Sequence, residues 1–401
     1  MYYNVFVGID ISKDSFSVCA LDSKQKVFFE SSFSMDQNGF KALIEKLKPF
    51  KKDSVLIGKE STGCYHINLF ALLSKKGFHC VVLNPLLVSN FAKLDLRKTK
   101  TDRTDAKNIA SLLSLIHKKL PKESFISQEF KELARERERI VKQIAKLKND
   151  IEKLCVVLFP ELERRVNIYS AGILRLLENF PSARLINKAS VDEIRQVLAS
   201  KKAGRTVAIS PQEIKKLAKN SIAQFFPARE LILSRKIKEL SFLNQTLDSI
   251  NKLLKEICEK ASKSQDINIL TSIKGLGTIS AMHFLAEIRD ISRFSSHKKL
   301  IAYCGLDPSV CQSGKFMGKS KISKRGNSHL RRIIYLMTVS VVRFNPFFKC
   351  YFNKRRKEGL PYRKAILATA HKLLRTIFAM LSNMQHFSPS YYYHYTREVN
   401  L

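Results

Sequence analysis

Apolar and polar positions alternate with a period of two at the start of the chain and change to helical spacing further on. Tyr3 to Ile9 is a β-rich apolar run ending at Asp10. Ser15 to Leu21 alternates as its hairpin partner across Ser12-Lys13-Asp14, and Gln25 to Phe33 supplies a third strand. A helical stretch from Asn38 to Leu47 precedes a short strand, Ser54 to Gly58, which leads to Glu60. Then come a helix from Ile67 to Lys75 and a strand from His79 to Leu83, stopped by Asn84-Pro85. The stretch Lys98 to Lys107 opens another helix, whose apolar face is Ile109, Leu112, Leu113 and Ile116. From Ile126 the pattern is that of long helices. Ile126, Phe130, Leu133, Ile140, Ile144, Leu147, Ile151, Leu154 and Leu158 form a heptad with only Arg137 off pattern, and Leu233, Leu240, Leu243, Leu247, Ile250, Leu254 and Ile257 form a second. These predict a coiled coil, paired within one chain or between two. Helix starts are predicted near Ser190 and at Ser210-Pro211-Gln212-Glu213, a capping-box-like run with Pro at the first helical position.

The N-terminal order βββαβαβα lacks a Gly-rich turn after the first strand, so it is not a dinucleotide-binding pattern. It is the order of an α/β ribonuclease H-like domain, whose mixed sheet presents acids from strand ends and from a late helix. Asp10 then ends the first strand, Glu60 ends its neighbour, and the late helix supplies Asp102 and Asp105. Acids three residues apart share a helix face, about 5 to 6 Å apart at Cβ. Among Arg103, Lys100 and Lys107 that pair suits a divalent cation with a phosphate nearby, because Mg²⁺ favours carboxylates plus substrate phosphates. The bland alternative is that both acids only favour a helix N-terminus, with Thr101 or Asp102 as cap. Four converging carboxylates can hold two ions roughly 3.5 to 4 Å apart, the clamp used for in-line displacement at phosphorus.

Composition narrows the partner. The chain of 401 residues carries 71 Lys and Arg against 35 Asp and Glu, a net charge of +36 that points to a polyanion. Nucleic acid is favoured over membrane, since the longest apolar run, Ile333 to Val342, is too short to span. The cysteines (Cys19, Cys64, Cys80, Cys155, Cys258, Cys304, Cys311, Cys350) show no zinc spacing and read as small buried hydrophobes of a reducing compartment. Met1 to Asp10 lacks a secretory signal, so a cytoplasmic protein, nucleoid-associated when bound, is expected.

In the C-terminal part, Leu270 to Ala281 holds Lys274-Gly275-Leu276-Gly277 between two helical segments, the pattern of a helix-hairpin-helix element whose glycines let amides approach a phosphate. A tight interhelix turn would read the same way. Gly-punctuated loops follow, with Lys315, Lys319, Lys321, Lys324 and Arg325 and then Arg331 and Arg332, a composition suited to backbone phosphates. Ser313 lies beside Gly314. A hydroxyl near a metal and cations can attack phosphorus, but residue chemistry alone does not prefer Ser313 to Ser309, Ser320 or Ser323. The tail from His386 to Leu401, with Tyr391-Tyr392-Tyr393, is expected to be poorly packed unless it docks, and its rings suit base stacking.

Seven ordered motifs carry a family resemblance. They are Gly8-Ile9-Asp10-Ile11-Ser12-Lys13, Glu60-Ser61-Thr62-Gly63-Cys64-Tyr65, Lys100-Thr101-Asp102-Arg103-Thr104-Asp105-Ala106, Gly275-Leu276-Gly277, Gly305-Leu306-Asp307-Pro308, Gln312-Ser313-Gly314 and Ile322-Ser323-Lys324-Arg325-Gly326-Asn327. Together they resemble the DEDD-type transposases of bridge-RNA-guided insertion sequences, relatives of the pilin-gene inverting recombinases. The match covers both ends of the chain, and the helical middle matches only in kind. The resemblance implies a RuvC-like domain at 1–120 with Asp10, Glu60, Asp102 and Asp105 as a metal-binding tetrad for Mg²⁺, or Mn²⁺. It implies a helical and coiled-coil region at 121–264 and a transposase domain at 265–385 with Ser313 as nucleophile, followed by a tail at 386–401. It further implies a site composed from different subunits, a dimer or tetramer, a serine joined to a DNA 5′ phosphate, and a noncoding RNA that pairs with target and donor DNA. Asp307 departs from the pattern, standing where a small residue is expected.

The expectation is an RNA-guided site-specific DNA recombinase. Its rivals are a junction resolvase using the same acids with water, a nucleic-acid scaffold without catalysis, and an RNA chaperone. The last is weakened by the lack of RNA-binding module signatures.

Overall fold

The first strand, β1 (Val5–Ile11), is the centre of the sheet because its two neighbours arrive from different directions. It pairs antiparallel with β2 (Ser15–Asp22), which pairs antiparallel with β3 (Val27–Ser34) across a bulge at Ala20/Leu21. After helix α1 (Gln37–Leu47), capped by the Asp36 side chain on the Gly39 amide, strand β4 (Val55–Glu60) lies parallel on the other side of β1. Helix α2 (His66–Lys75) then leads to β5 (His79–Leu83), parallel to β4, and the chain continues into α3 (Pro85–Ala92) and α4 (Asp102–Ile116). The strand order β3-β2-β1-β4-β5 is consistent with the ribonuclease H-like start expected from the pattern. The Pro85 stop proves to be the first residue of a helix the pattern did not show, because a strand-ending Pro is also well placed at a helix start.

This computed structural model describes residues 3–60, 65–83, 85–93, 102–117, 125–199, 209–260, 263–309, 312–313, 316–317 and 321–388. They fall into two compact units, Met1–Glu129 and Phe130–Leu401.

In the first unit, period-two alternation gives the sheet two apolar faces. Val5, Val7 and Ile9 pack with Leu43 and Leu47 of α1 and Leu69, Phe70 and Leu73 of α2. Phe6, Leu21 and Leu56 pack with Ala106, Ile109, Ala110, Leu112 and Leu113 of α4. On that second face Gly8 and Gly58 are register partners, and α4 settles directly on them. A Cβ on Gly8 would lie 2.1 Å from the Ala106 carbonyl oxygen and 2.4 Å from the Ala110 nitrogen, and one on Gly58 would lie 2.5 Å from Leu113 Cδ1.

Among its described residues the second unit is helical apart from four two-residue strands. Helix α5 (Phe125–Leu158) is followed by α6 (Pro160–Arg165), α7 (Ala171–Asn179), α8 (Ala183–Lys188), α9 (Val191–Leu198) and α10 (Pro211–Lys219). Ser190 and Glu193 form a reciprocal capping box on α9, and Ser210 caps α10 ahead of Pro211, both as their sequences direct. Helix α11 (Pro227–Lys260) then runs back along α5. Arg137 Nε donates to Asn251 Oδ1 at 2.7 Å, and Lys236 Nζ to Asp150 Oδ2 at 2.9 Å, so the two long helices are antiparallel within one chain. Arg137, the one break in the first heptad, is thus a polar tie between them.

Helices α12 (Ser264–Thr271) and α13 (Thr278–Ile288) flank the Gly275-Leu276-Gly277 turn. After α14 (His297–Tyr303), β6 (Pro308–Ser309) pairs with β9 (Lys321–Ile322), and β7 (Gln312–Ser313) pairs with β8 (Phe316–Met317). The chain ends in α15 (Ser328–Phe344), α16 (Pro346–Lys357) and α17 (Tyr362–Ser382). By length and composition α17 would suffice to cross a membrane, although His371, Lys372 and Arg375 interrupt its apolar residues and no unbroken apolar run marks it in the sequence. Its apolar residues, including Ala370, Leu373, Leu374 and Ile377, are buried in the common core with Met337, Val341 and Phe348, as in a globular core helix. Phe387 docks through its amide on Ser272 Oγ at 2.8 Å, and the remaining tail from 389 lies outside the described residues.

The glycine pair yields a direct test. Gly8→Ala places a methyl group against helix backbone that has no rotamer to yield, and should destabilise the first unit by roughly 1–3 kcal/mol or more in chemical denaturation. A wild-type transition would mean that α4 does not rest on the sheet at this distance.

Candidate functional site

The β1–β4 register sets where the acids fall. One step past the last partner pair, Ile9 with Lys59, come Asp10 and Glu60. Both sit at even steps from the glycines, so alternation turns them to the face that α4 covers, and both are half-buried. Asp102 and Asp105 occupy the first turn of α4, Asp102 exposed and Asp105 half-buried, where the helix dipole favours negative charge.

Asp10 feels the other three carboxylates. Burial and then the charges of Asp105 and Asp102, with a smaller part from Glu60, push the Asp10 carboxyl above its ordinary range, against a lowering hydrogen bond from the Ile11 amide. They face one another at electrostatic rather than ligating range, since among the described residues no three His, Cys, Asp or Glu side chains stand close enough to enclose an ion. The donor set fits Mg²⁺ chemically: all are hard carboxylate oxygens, and their mutual repulsion on Asp10 is what a cation would relieve. Lys59, one residue before Glu60, is fully buried and by alternation belongs to the opposite face.

Ser313 belongs to the second unit. It pairs with Phe316 in the inner of two nested antiparallel pairings, so the described residues of the stretch read as loops form a narrow β-ribbon with Ser313 in its inner pairing. Lys315 and Lys319 lie outside the described residues. Lys321, Lys324 and Arg325 are exposed around the returning strand, and Lys274 is exposed at the α12–α13 turn. In that turn Gly275 takes φ +101° and its carbonyl accepts from Ser340 Oγ at 2.7 Å, while the space beside Gly277 is open. Arg331 and Arg332 are half-buried and face acceptors of the chain itself. Arg331 Nη1 donates to the Cys304 carbonyl at 3.1 Å, and Arg332 Nη1 lies 3.3 Å from Glu138 Oε1.

Sequence reading missed a buried polar layer at the centre of the second unit. Glu138 of α5, 4 % exposed, meets Lys142 Nζ at 2.6 Å, His329 Nδ1 at 2.8 Å and Arg332. Glu287 of α13 takes both Arg135 and Asn327. Burial alone would raise both carboxyls, but these partners hold them below the usual range. His283 lies among Arg137, Glu138, Glu287 and Arg332. Burial, then Arg137, lowers its pKa to about 4, so it is neutral at physiological pH. A signal for this layer was available. His283 and Glu287 stand four apart in the otherwise apolar run Ala281 to Ile288, which puts them on one helix face.

The Asp10 shift has a definite sign. A carboxyl whose folded pKa lies above its unfolded one holds its proton more readily in the folded chain, so without divalent cations stability should fall as pH rises from the ordinary carboxylate range through the raised pKa. Asp10→Asn should remove that fall, and Mg²⁺ should raise the thermal midpoint of the wild type at neutral pH but not that of Asp10→Asn. Calorimetry in chelator and in Mg²⁺ decides; a wild-type midpoint indifferent to the cation would rule out a metal site here.

A family model for IS110-type DEDD transposases matches residues 7–160, the sheet, its acids and the first long helix. A second, for transposases of the IS116/IS110/IS902 family, matches residues 267–353, which include the ribbon. The chain is 22% identical over 393 residues to the 44.8 kDa protein of insertion element IS116 from Streptomyces clavuligerus, covering 96% of each. It is 24% identical over 383 residues to the transposase for insertion sequence element IS1111A of Coxiella burnetii, covering 94% of this chain and 90% of that one. It is also 31% identical over 141 residues to the pilin gene-inverting protein of Moraxella bovis, covering 33% of this chain and 44% of the relative. Two models of one kind that together match more than half of the chain, and relatives aligned through the helical middle, place it in the IS110 family of insertion-element transposases, enzymes that cut and join DNA.

Proposed function

We propose that this transposase works by phosphoryl transfer to serine, with Asp10, Glu60, Asp102 and Asp105 as the metal-holding tetrad and Ser313 as the nucleophile. The observation that carries the reading is the convergence of three carboxylate charges on Asp10 from two further elements, β4 and α4. Mg²⁺, or Mn²⁺, bound by those acids would neutralise them and polarise the scissile phosphate. In the transfer the Ser313 Oγ–P bond forms as the P–O3′ bond of the DNA breaks, and the serine proton ends on the departing 3′ hydroxyl. Attack by a 3′ hydroxyl of another strand reverses the step, joins the DNA and restores the serine.

Tetrad and serine belong to different compact units, and the reading has them meet in a site composed from two copies of the chain in a dimer or tetramer. The paired long helices would serve as its coiled coil, and the Lys274-Gly275-Leu276-Gly277 turn as a helix-hairpin-helix contact to a phosphate. Lys321, Lys324 and Arg325, with Lys315 and Lys319, would hold nucleic-acid backbone beside the serine. A net charge of +36 suits more than one polyanion, which supports a noncoding guide RNA alongside target and donor DNA. Base pairing would then read sequence while the protein reads backbone and shape.

Ser313→Ala should abolish the covalent protein–DNA adduct, trapped by denaturing gel, while leaving DNA affinity nearly unchanged. Recombination that persists in this variant would exclude the serine and favour water as nucleophile. RNA extracted from the protein purified from its host should contain one discrete species encoded beside the gene. Only ribosomal and transfer RNA fragments in that fraction would remove the guide.

A further inference from the structure

The ribbon that carries Ser313 is clamped at its base by contacts inside the second unit. Gly305, at φ +65°, and Gly326 lie back to back: a Cβ on Gly326 would be 2.3 Å from both the Gly305 nitrogen and the Tyr303 carbonyl oxygen. The Ser323 amide donates to the Asp307 carbonyl at 2.8 Å, the Lys324 amide to the Gly305 carbonyl at 3.1 Å and the Asn327 amide to the Tyr303 carbonyl at 2.7 Å. Ser323 Oγ donates to Asp307 Oδ1 at 2.6 Å, which gives the unusual Asp307 a task at the foot of the ribbon.

One buried charge ties this base to the helices. Glu287, 3 % exposed, accepts Arg135 Nε at 2.7 Å and Nη2 at 3.0 Å, and Asn327 Nδ2 at 2.6 Å. Asn327 also caps α15 by accepting from the Leu330 amide at 3.1 Å. Every polar group of Asn327 named here is therefore in use, and α5, α13, α15 and the returning limb of the ribbon meet at a single carboxylate. A buried ion pair is poor glue compared with apolar packing of the same volume. The planar fork of Arg135 and the amide of Asn327 instead fix direction and distance.

We infer that Glu287 is a positioning residue for the reaction at Ser313, holding the foot of the ribbon in register with α5 and α13 through Arg135 and Asn327. The inference rests on the reading of Ser313 as nucleophile, but its mechanical half does not. A side chain that only holds the core together would, when altered, lower stability without changing the reaction of the folded enzyme.

The test uses full-length Glu287→Gln, which keeps volume and an acceptor for Asn327 but loses the charge facing Arg135, and Arg135→Lys, which keeps charge but loses the fork. Hydrogen exchange should rise in both variants at Gly305 to Ser309 and Lys321 to Asn327, and remain as in wild type in α7 to α10. Adduct formation at saturating DNA should fall on the order of 10²-fold in Glu287→Gln with little change in the DNA concentration for half-saturation, the signature of a misplaced reacting group. Arg135→Lys should move both readouts the same way by less. Wild-type exchange at the ribbon base in both variants, or an adduct rate equal to wild type once the folded fraction is counted, would overturn the inference. If the wild-type adduct maps to a residue other than Ser313, the serine reading fails, and the exchange arm still decides whether Glu287 sets the ribbon.

Discussion

The close seating of α4 on the paired glycines of β1 and β4 is the constraint on which the first unit depends. At Gly8 helix backbone meets strand backbone at contact distance, and at Gly58 the Leu113 side chain occupies the space a Cβ would take. That approach has a chemical consequence two residues along each strand. Asp10 and Glu60 emerge on the same face just past the glycines, and the first turn of α4 brings Asp102 and Asp105 to them. A wider helix-to-sheet spacing would leave four ordinary surface acids. At this spacing, Asp10 sits under the charge of the other three.

Such a cluster works against the fold that holds it. Like charges around a half-buried carboxyl raise the energy of its ionised form, and the apolar contacts of Phe6, Leu21, Leu56 and the α4 face must hold the helix in place against that repulsion. If the proposed cation site is formed here, this repulsion is what binding would relieve, because a site relaxed without its ion has less to gain from binding it. Helix α1, away from the cluster, is capped by Asp36 and packs Leu43 and Leu47 against the other face of the sheet.

The second unit meets a different problem with similar means. The two-residue strands of its ribbon are too small to hold a conformation unaided. Its geometry is supplied from below, by the Gly305–Gly326 contact and by carbonyls that Arg331 and neighbouring amides satisfy. The buried acids Glu287, joined to the ribbon base through Asn327, and Glu138, joined to α15 through His329 and Arg332, are each provided with partners, where an apolar core would have held the helices without specifying how they are turned.

Much of this could be read from residue order. Strand alternation, the βββαβαβα sequence, the helix caps at Ser190 and Ser210, and the long helices are local properties, fixed by side-chain period and by backbone donors at helix starts. The chain order also singled out Asp10, Glu60, Asp102 and Asp105, because acids at strand ends and in a helix's first turn are a pattern of position. It did not show α3, the ribbon, or the glycine pair as a seat for α4, nor whether the two heptads pair within one chain. Nor did it distinguish Arg331, turned to the Cys304 carbonyl, from Arg325, which is exposed. Those were decided by tertiary structure, since each depends on which groups far apart in sequence come within hydrogen-bonding or van der Waals reach. Glu287 is the clearest case: its neighbours in sequence are apolar, and its partners Arg135 and Asn327 lie 152 and 40 residues away.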